Sequence, residues 1–225
     1  MTSVSGSVLA AIERALVERF GQQPQRAALS FVGVDPIEVL RFVPRPDERV
    51  YVTLGMARHP MSDACGADQG YGGGPPVREG GTSRASADCR ETAAVAPIGD
   101  VAGRRAELLL RLRDPTDVMS EVWKALGLLA ATPAVEGFVY RDGASVDLGR
   151  PLVSGSRCVG VLAVVTPELP AVVTEEGPVA LLEALPVTSA ELAWCRVRGS
   201  RALRDRWAAE GTDLLDLTRG SVRLV

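Results

Sequence analysis

The stretch Pro186–Val225, PVTSAELAWCRVRGSRALRDRWAAEGTDLLDLTRGSVRLV, carries a helix start, two amphipathic pieces and a dense polar run. The Thr188 side chain can accept from the first free backbone N–H groups of a helix, while Glu191, three residues on, reaches back to Thr188. This reciprocal capping box predicts a helix starting near Ser189. Trp194, Val197, Leu203 and Trp207 recur at near-helical spacing around Gly199-Ser200, so two short helices on one core are expected. Gly211 ends the second. The following Asp213-Leu214-Leu215-Asp216-Leu217-Thr218-Arg219 fits neither a strand nor a long helix. Two carboxylates and a guanidinium crowded beside three leucines predict a terminus tied down to the fold.

Upstream, Arg157–Thr166, RCVGVLAVVT, is continuously apolar rather than alternating, the pattern of a strand covered on both faces, and it is expected to be the central strand. Val172-Val173 and Val179–Leu185 read as further strands, with Glu183 turned outward or toward a partner. Gly137–Val139 reads as a short strand, Asp142-Gly143 as a turn and Asp147–Pro151 as an irregular connection. Arg105–Arg113, RAELLLRLR, predicts a strand reaching the core. Asp114–Asp117, DPTD, then supplies an N-cap, a proline at the first helical position and a carboxylate near the positive helix end. The helix that follows has Val118, Met119, Val122, Trp123, Leu126 and Leu129 as its apolar face and Pro133 as its limit. Trp123 and Trp207, each extending such a face, are expected in the core.

At the start of the chain, Val8, Leu9, Ile12, Leu16 and Phe20 line one face of a helix over Ser7–Phe20 that Gly21 ends. Ala27–Val32, Ile37–Val43 and Val50–Leu54 are short β-branched and aromatic runs between turn signals, a β-meander. The elements are mixed in order rather than strictly βαβ, which predicts an α+β fold, a mixed sheet with flanking helices. A length of 225 residues predicts one domain over 1–225. Within it, residues 62–103 are rich in Gly, Pro, Ser and Ala and poor in large apolar side chains, which predicts a disordered insertion. Its Gly70-Tyr71-Gly72-Gly73-Gly74 run is not a phosphate loop, because no GK[ST] follows.

A net charge of −3 and a charged fraction of 24% argue against nucleic acid as a partner. Of the 25 basic residues only Lys124 is a lysine, and the excess of arginine carries no functional signal by itself. Cys65, Cys89, Cys158 and Cys195 stand 24, 69 and 37 residues apart, so no paired metal-ligand spacing exists and no metal or cofactor is expected. Cys158 and Cys195 read as small buried hydrophobes, Cys65 and Cys89 as reduced thiols in the insertion. The N-terminus lacks the basic start of a signal peptide, and no run reaches the length of a membrane span, so a cytoplasmic protein is expected.

His59 is the only histidine, which limits nucleophile–histidine chemistry to one position and rules out a multi-histidine metal site. Beside Pro60 and Met61 at a strand end it reads as a structural or rim residue. No GxSxG, HExxH or GxGxxG is present, and no catalytic residue is assigned. Glu210, Asp213, Asp216 and Arg219 could form an acid/base cluster, or they could cap backbone groups and pair locally.

Several segments in fixed order resemble the suppressor-of-fused domain family as found in bacteria. They are Tyr51–Met56 with Pro60-Met61, Arg105–Leu108, Trp123, Val159–Val164, Leu185–Thr188 with Glu191, Gly199, Leu203, and Asp213–Leu217 with Arg219 and Ser221. The resemblance covers about residues 27–223, and the glycine-rich insertion has no counterpart in the pattern. It implies an α/β-type sandwich of mixed sheet and helices with no known enzymatic activity. Eukaryotic members are adaptors that sequester a transcription factor, and bacterial members are considered immunity proteins beside secreted toxins. The expectation is thus a protein-binding module that sequesters a toxin or a regulatory partner. Glu191, Asp213, Asp216 and Arg219 would form a partner-binding rim near an exposed strand edge or a groove beside the C-terminal helices. The alternatives are a cytosolic enzyme using His59 or the C-terminal carboxylates, and a structural or assembly subunit.

Overall fold

The computed structural model describes residues 5–61, 104–113 and 119–224. In chain order its elements are α1 (Ser5–Phe20), β1 (Gln25–Phe31), β2 (Val34–Arg45), β3 (Glu48–Leu54), a single 3-10 turn (Met56–Arg58), β4 (Arg105–Arg113), α2 (Met119–Glu136), β5 (Ser145–Asp147), β6 (Cys158–Val164), β7 (Val172–Thr174), β8 (Gly177–Thr188), α3 (Ser189–Arg198) and α4 (Ser200–Ala209). The predicted insertion at 62–103, with Cys65, Cys89 and the Gly70–Gly74 run, lies outside the described residues, as does Asp114–Val118.

One mixed sheet runs in the order β1-β2-β3-β4-β8-β6-β5, with β7 also paired to β8. The expected meander is present: β1, β2 and β3 pair antiparallel and β3 continues antiparallel onto β4. The β4–β8 pair is parallel, and β8 pairs antiparallel with β6 and β7. Because successive side chains of a strand point to opposite faces, each interior strand supplies two cores. Leu108, Leu110 and Leu112 of β4, with Val161 and Ala163 of β6, pack against Val122, Leu126 and Leu129 of α2. On the opposite face Leu109 and Leu181 meet Val8, Ile12 and Leu16 of α1. Leu162, Val164 and Val187 lie further along that face, under Leu192, Cys195, Leu203 and Trp207 of α3 and α4. The α+β fold is therefore helix, sheet, helix.

Four expectations need correction. The run Arg157–Thr166 does form a strand buried on both faces, but β6 is the next-to-last strand and the middle of the sheet is the β4–β8 pair. Continuous apolarity reports helices above and below, not lateral position. Pro133 lies inside α2 rather than ending it. A proline leaves the carbonyl four residues back without its helical donor; that carbonyl, Leu129 O, accepts from Tyr140 Oη at 2.9 Å, and Gly137 N closes the helix on Pro133 O at 3.1 Å. Gly137–Val139 is not a strand, because the chain there carries Tyr140 into the core; the strand on this side is β5, between the Asp142-Gly143 turn and the irregular connection after Asp147. Val197, counted on the apolar face of α3, is 79% exposed.

The tryptophans divide. Trp207 is buried, whereas Trp123 is half-buried at the α2 core, and its Nε1 has no hydrogen-bond partner among the described residues. Cys158 and Cys195 are buried thiols, and burial pushes the Cys158 thiol up to about 11, as expected of a small hydrophobe rather than a nucleophile.

Candidate functional site: two buried carboxylates

Glu191 enters the interior because the capping box at the start of α3 turns its side chain back toward Thr188. Its carboxylate is fully buried, and both oxygens are saturated. Oε2 accepts from Thr188 N at 2.9 Å and Arg219 Nη2 at 2.9 Å. Oε1 accepts from Arg219 Nη1 at 2.7 Å, Trp207 Nε1 at 3.0 Å and Val222 N at 3.0 Å. Arg219, 9% exposed, also donates to Pro186 O at 2.7 Å, and its guanidinium lies 5.6 Å from the Trp207 ring centroid. Burial opposes the charge on Glu191, but Arg219 together with the Thr188, Trp207 and Val222 donors outweighs it and holds the carboxyl below its usual range. A carboxylate with five donors is a clasp, not a base: it ties the end of β8, both C-terminal helices and the chain terminus into one unit.

The terminal segment between these points is fastened by its backbone. Leu215 O and Leu217 O accept from the N–H groups of Arg113 and Arg157 at 3.0 and 2.9 Å, and Leu217 enters the α2 core. The expected tied-down terminus is present. Asp213 and Asp216 stay at its surface. Asp213 pairs with Arg113 at 2.6 Å, and Asp216 accepts from Thr218 N and Oγ1 at 2.8 and 2.7 Å, bonds that hold its carboxyl below the usual range. Of the four residues expected to form one rim, the structure thus brings Glu191 and Arg219 together in the interior and leaves Asp213 and Asp216 outside. Glu210 accepts from Arg223 N at 3.3 Å and joins neither pair.

A second buried carboxylate, Glu107 on β4, had no assigned role in the sequence beyond its place in the family pattern. Its Oε2 accepts from Thr53 Oγ1 at 2.6 Å, and Oε1 accepts from Gly55 N at 2.8 Å and Ala57 N at 3.0 Å. These two N–H groups open the 3-10 turn, which Arg105 holds from the other side through Ala57 O at 2.8 Å and Arg58 O. Gly55 has φ 137° and lies so close to Pro36 O that an added Cβ would stand 3.0 Å from it, so only glycine suits this corner. No cation contacts the Glu107 carboxylate among the described residues. Burial therefore wins over the Thr53, Ala57, Gly55 and Met56 donors, and its carboxyl is raised. The signal available in the sequence was a lone acid inside the apolar run of RAELLLRLR.

His59 follows that turn at the surface, where Nε2 lies 2.9 Å from Asp35 Oδ2 and the imidazole is 74% exposed, the rim position expected of it. Among the described residues no group of His, Cys, Asp and Glu is arranged to hold a metal, and no helix is long and apolar enough to cross a membrane. A groove of about 380 Å³ runs between α1 and β7, lined by Ala11, Arg14, Glu18, Pro170 and Val173.

Part of the family pattern gathers at these two carboxylates. Thr53, Gly55 and Met56 meet Glu107; Thr188 and Arg219 meet Glu191, Pro186 O accepts from Arg219, and Ser221 Oγ lies 2.7 Å from Thr188 Oγ1. No curated protein matches the chain. Among solved structures, a SUFU homologue from Neisseria gonorrhoeae superposes with a TM-score of 0.59 at 17% identity, covering 96% of this chain and 95% of that one. The structure of a Sufu–Fu complex gives 0.58 at 18% identity, covering 92% and 84%. Drosophila Suppressor of Fused gives 0.58 at 19% identity, covering 95% of this chain but 50% of its own length. The family model of Suppressor of fused protein (SUFU) matches residues 33–220, and the chain belongs to this family.

Proposed function

We propose that this chain is a non-enzymatic protein-binding domain, an immunity or regulatory protein that sequesters a partner such as a toxin. The observation that carries the reading is membership of a family of which one similar structure is a Sufu–Fu complex, a relative bound to another protein. The chemistry of the interior agrees with it: the two enclosed carboxylates are engaged by backbone and side-chain donors, and the exposed His59–Asp35 pair has no nucleophile in hydrogen-bond contact among the described residues. The partner surface we assign is the fastened C-terminal segment, with Asp213 and Asp216 at its face and Glu191 and Arg219 holding it from beneath. Fixing a loop before binding removes part of the ordering cost of association, which is what such a clasp contributes to affinity.

Affinity capture with the tagged chain in its native host tests the reading. A stoichiometric protein partner is expected, encoded beside this gene if it is a toxin. Capture of none, together with a turnover that His59→Ala abolishes in a folded protein, would replace it with the enzymatic reading.

A further inference from the structure

Between Leu192 and Ala209 stand five arginines, Arg196, Arg198, Arg201, Arg204 and Arg206, against one acid, Asp205, in a chain whose net charge is −3. Two of the five have local partners: Arg196 reaches Asp147 at 3.6 Å and Arg204 reaches Asp142 at 3.3 Å. Arg198 and Arg201 are exposed and have no ion-pair partner among the described residues. They flank Gly199, where α3 turns into α4, and Val197, 79% exposed, sits between Arg196 and Arg198.

Helix stability explains only part of this. Arg196 and Arg198 occupy the last turn of α3, where a cation is favoured by the helix dipole. Arg201 occupies the first turn of α4, where a cation is disfavoured; that turn contains no acid, and Gly199 offers it no side-chain cap. The corner is also rigid. Ser200 is buried with its Oγ against Gly143, where an added Cβ would come within 2.4 Å, and the Arg204–Asp142 pair anchors α4 to the same turn. An exposed aliphatic residue flanked in sequence by exposed arginines on a preorganised corner has the make-up of an interface centre, in which arginine is enriched and lysine depleted.

We propose that the α3–α4 corner, Arg196, Val197, Arg198 and Arg201, is a contact surface for an acidic segment of a partner protein, with Val197 seated against an apolar residue of that segment. Charge complementarity selects the acid. A protein is favoured over nucleic acid because the patch is one corner long, has an aliphatic centre and belongs to a chain of net negative charge, which does not steer a phosphate backbone. The inference rests on the protein-binding reading and adds the chemistry of the partner.

The test is selection from a displayed random dodecapeptide library on the intact chain, beside titration with a labelled 20-base-pair DNA duplex. Enriched peptides are expected to carry Asp or Glu around an apolar residue, to weaken as salt is raised, and to lose at least tenfold in affinity for R198E/R201E and for V197D. The double variant is expected to melt close to wild type, because the acid of R201E suits the first turn of α4 while that of R198E opposes the last turn of α3, and the two dipole effects offset. R198Q/R201Q provides the same reading without charge reversal if the glutamate variant fails to fold. Absence of acidic enrichment, equal affinity for the variants, or tighter binding of the duplex than of any peptide would overturn the proposal. A host partner still captured by R198E/R201E would overturn this surface while leaving the protein-binding reading intact; capture of none by wild type would count against that reading itself.

Discussion

Glu107 and Glu191 are both enclosed by the fold and both accept from backbone N–H groups, yet they sit on opposite sides of their usual carboxyl range. At Glu191 a guanidinium contributes two of the five donors, and charge-assisted bonds overcome desolvation. At Glu107 only neutral donors face the carboxyl and desolvation wins. The difference is one of task. The C-terminal region must hold a segment that returns to β8 from beyond α4, and an ion pair across 28 residues supplies reach and direction. The β3–β4 region only has to satisfy the N–H groups of a tight turn beside the sheet, which a neutral carboxyl also does in part.

The comparison is broken most severely by removing the cation. Arg219→Ala leaves a buried carboxylate without its counter-charge and is expected to lose about 3–5 kcal/mol in urea unfolding. Trp207→Ala, which opens a cavity under α4 and removes a donor to Glu191, belongs in the same range of about 3–5 kcal/mol. Trp207→Phe separates the two terms: it keeps most of the ring and loses only the Nε1–H bond to a charged acceptor, about 1.5–3 kcal/mol. Glu107→Gln is expected to stay within about 1 kcal/mol of wild type at pH 7, since the amide oxygen can still accept from Gly55 and Ala57. The smallest effect is at the surface. Asp216→Ala should cost under about 1 kcal/mol of stability while weakening a captured partner more than tenfold, about 1.4 kcal/mol; unchanged affinity would remove the C-terminal segment from the interface.

What the sequence revealed follows the range of the interactions involved. The capping box was legible because Thr188 and Glu191 are three residues apart, and Arg105–Arg113 was legible because an apolar strand between charged ends has few other readings. The place of β6 in the sheet was not, because strand order is decided by pairing over distances that leave no local trace. The Pro133 prediction failed since its remedy, the Tyr140 hydroxyl, comes from outside the helix. At the site, Glu191 and Arg219 could both be picked out, but not their pairing across 28 residues, which moves them from the expected rim to the interior. Glu107 was hidden because a single acid in a strand gives no sign of whether it points to solvent or to the N–H groups of a turn 50 and 52 residues earlier.

The most direct measurement is the pH dependence of unfolding free energy for wild type, Glu191→Gln and Glu107→Gln. The lowered carboxyl of Glu191 contributes stability that is present above its unfolded value near 4.5 and lost as pH falls through its lower folded value. The advantage of wild type over Glu191→Gln should therefore be largest at neutral pH and shrink in acid. The raised carboxyl of Glu107 contributes stability that is complete below about 4.5 and lost as pH rises through its folded value, so wild type should lose ground to Glu107→Gln with increasing pH. Opposite slopes for the two difference curves are the predicted result; parallel curves, or a wild-type advantage over Glu107→Gln that grows with pH, would contradict the assignment of one charged clasp and one carboxyl whose burial favours the protonated form.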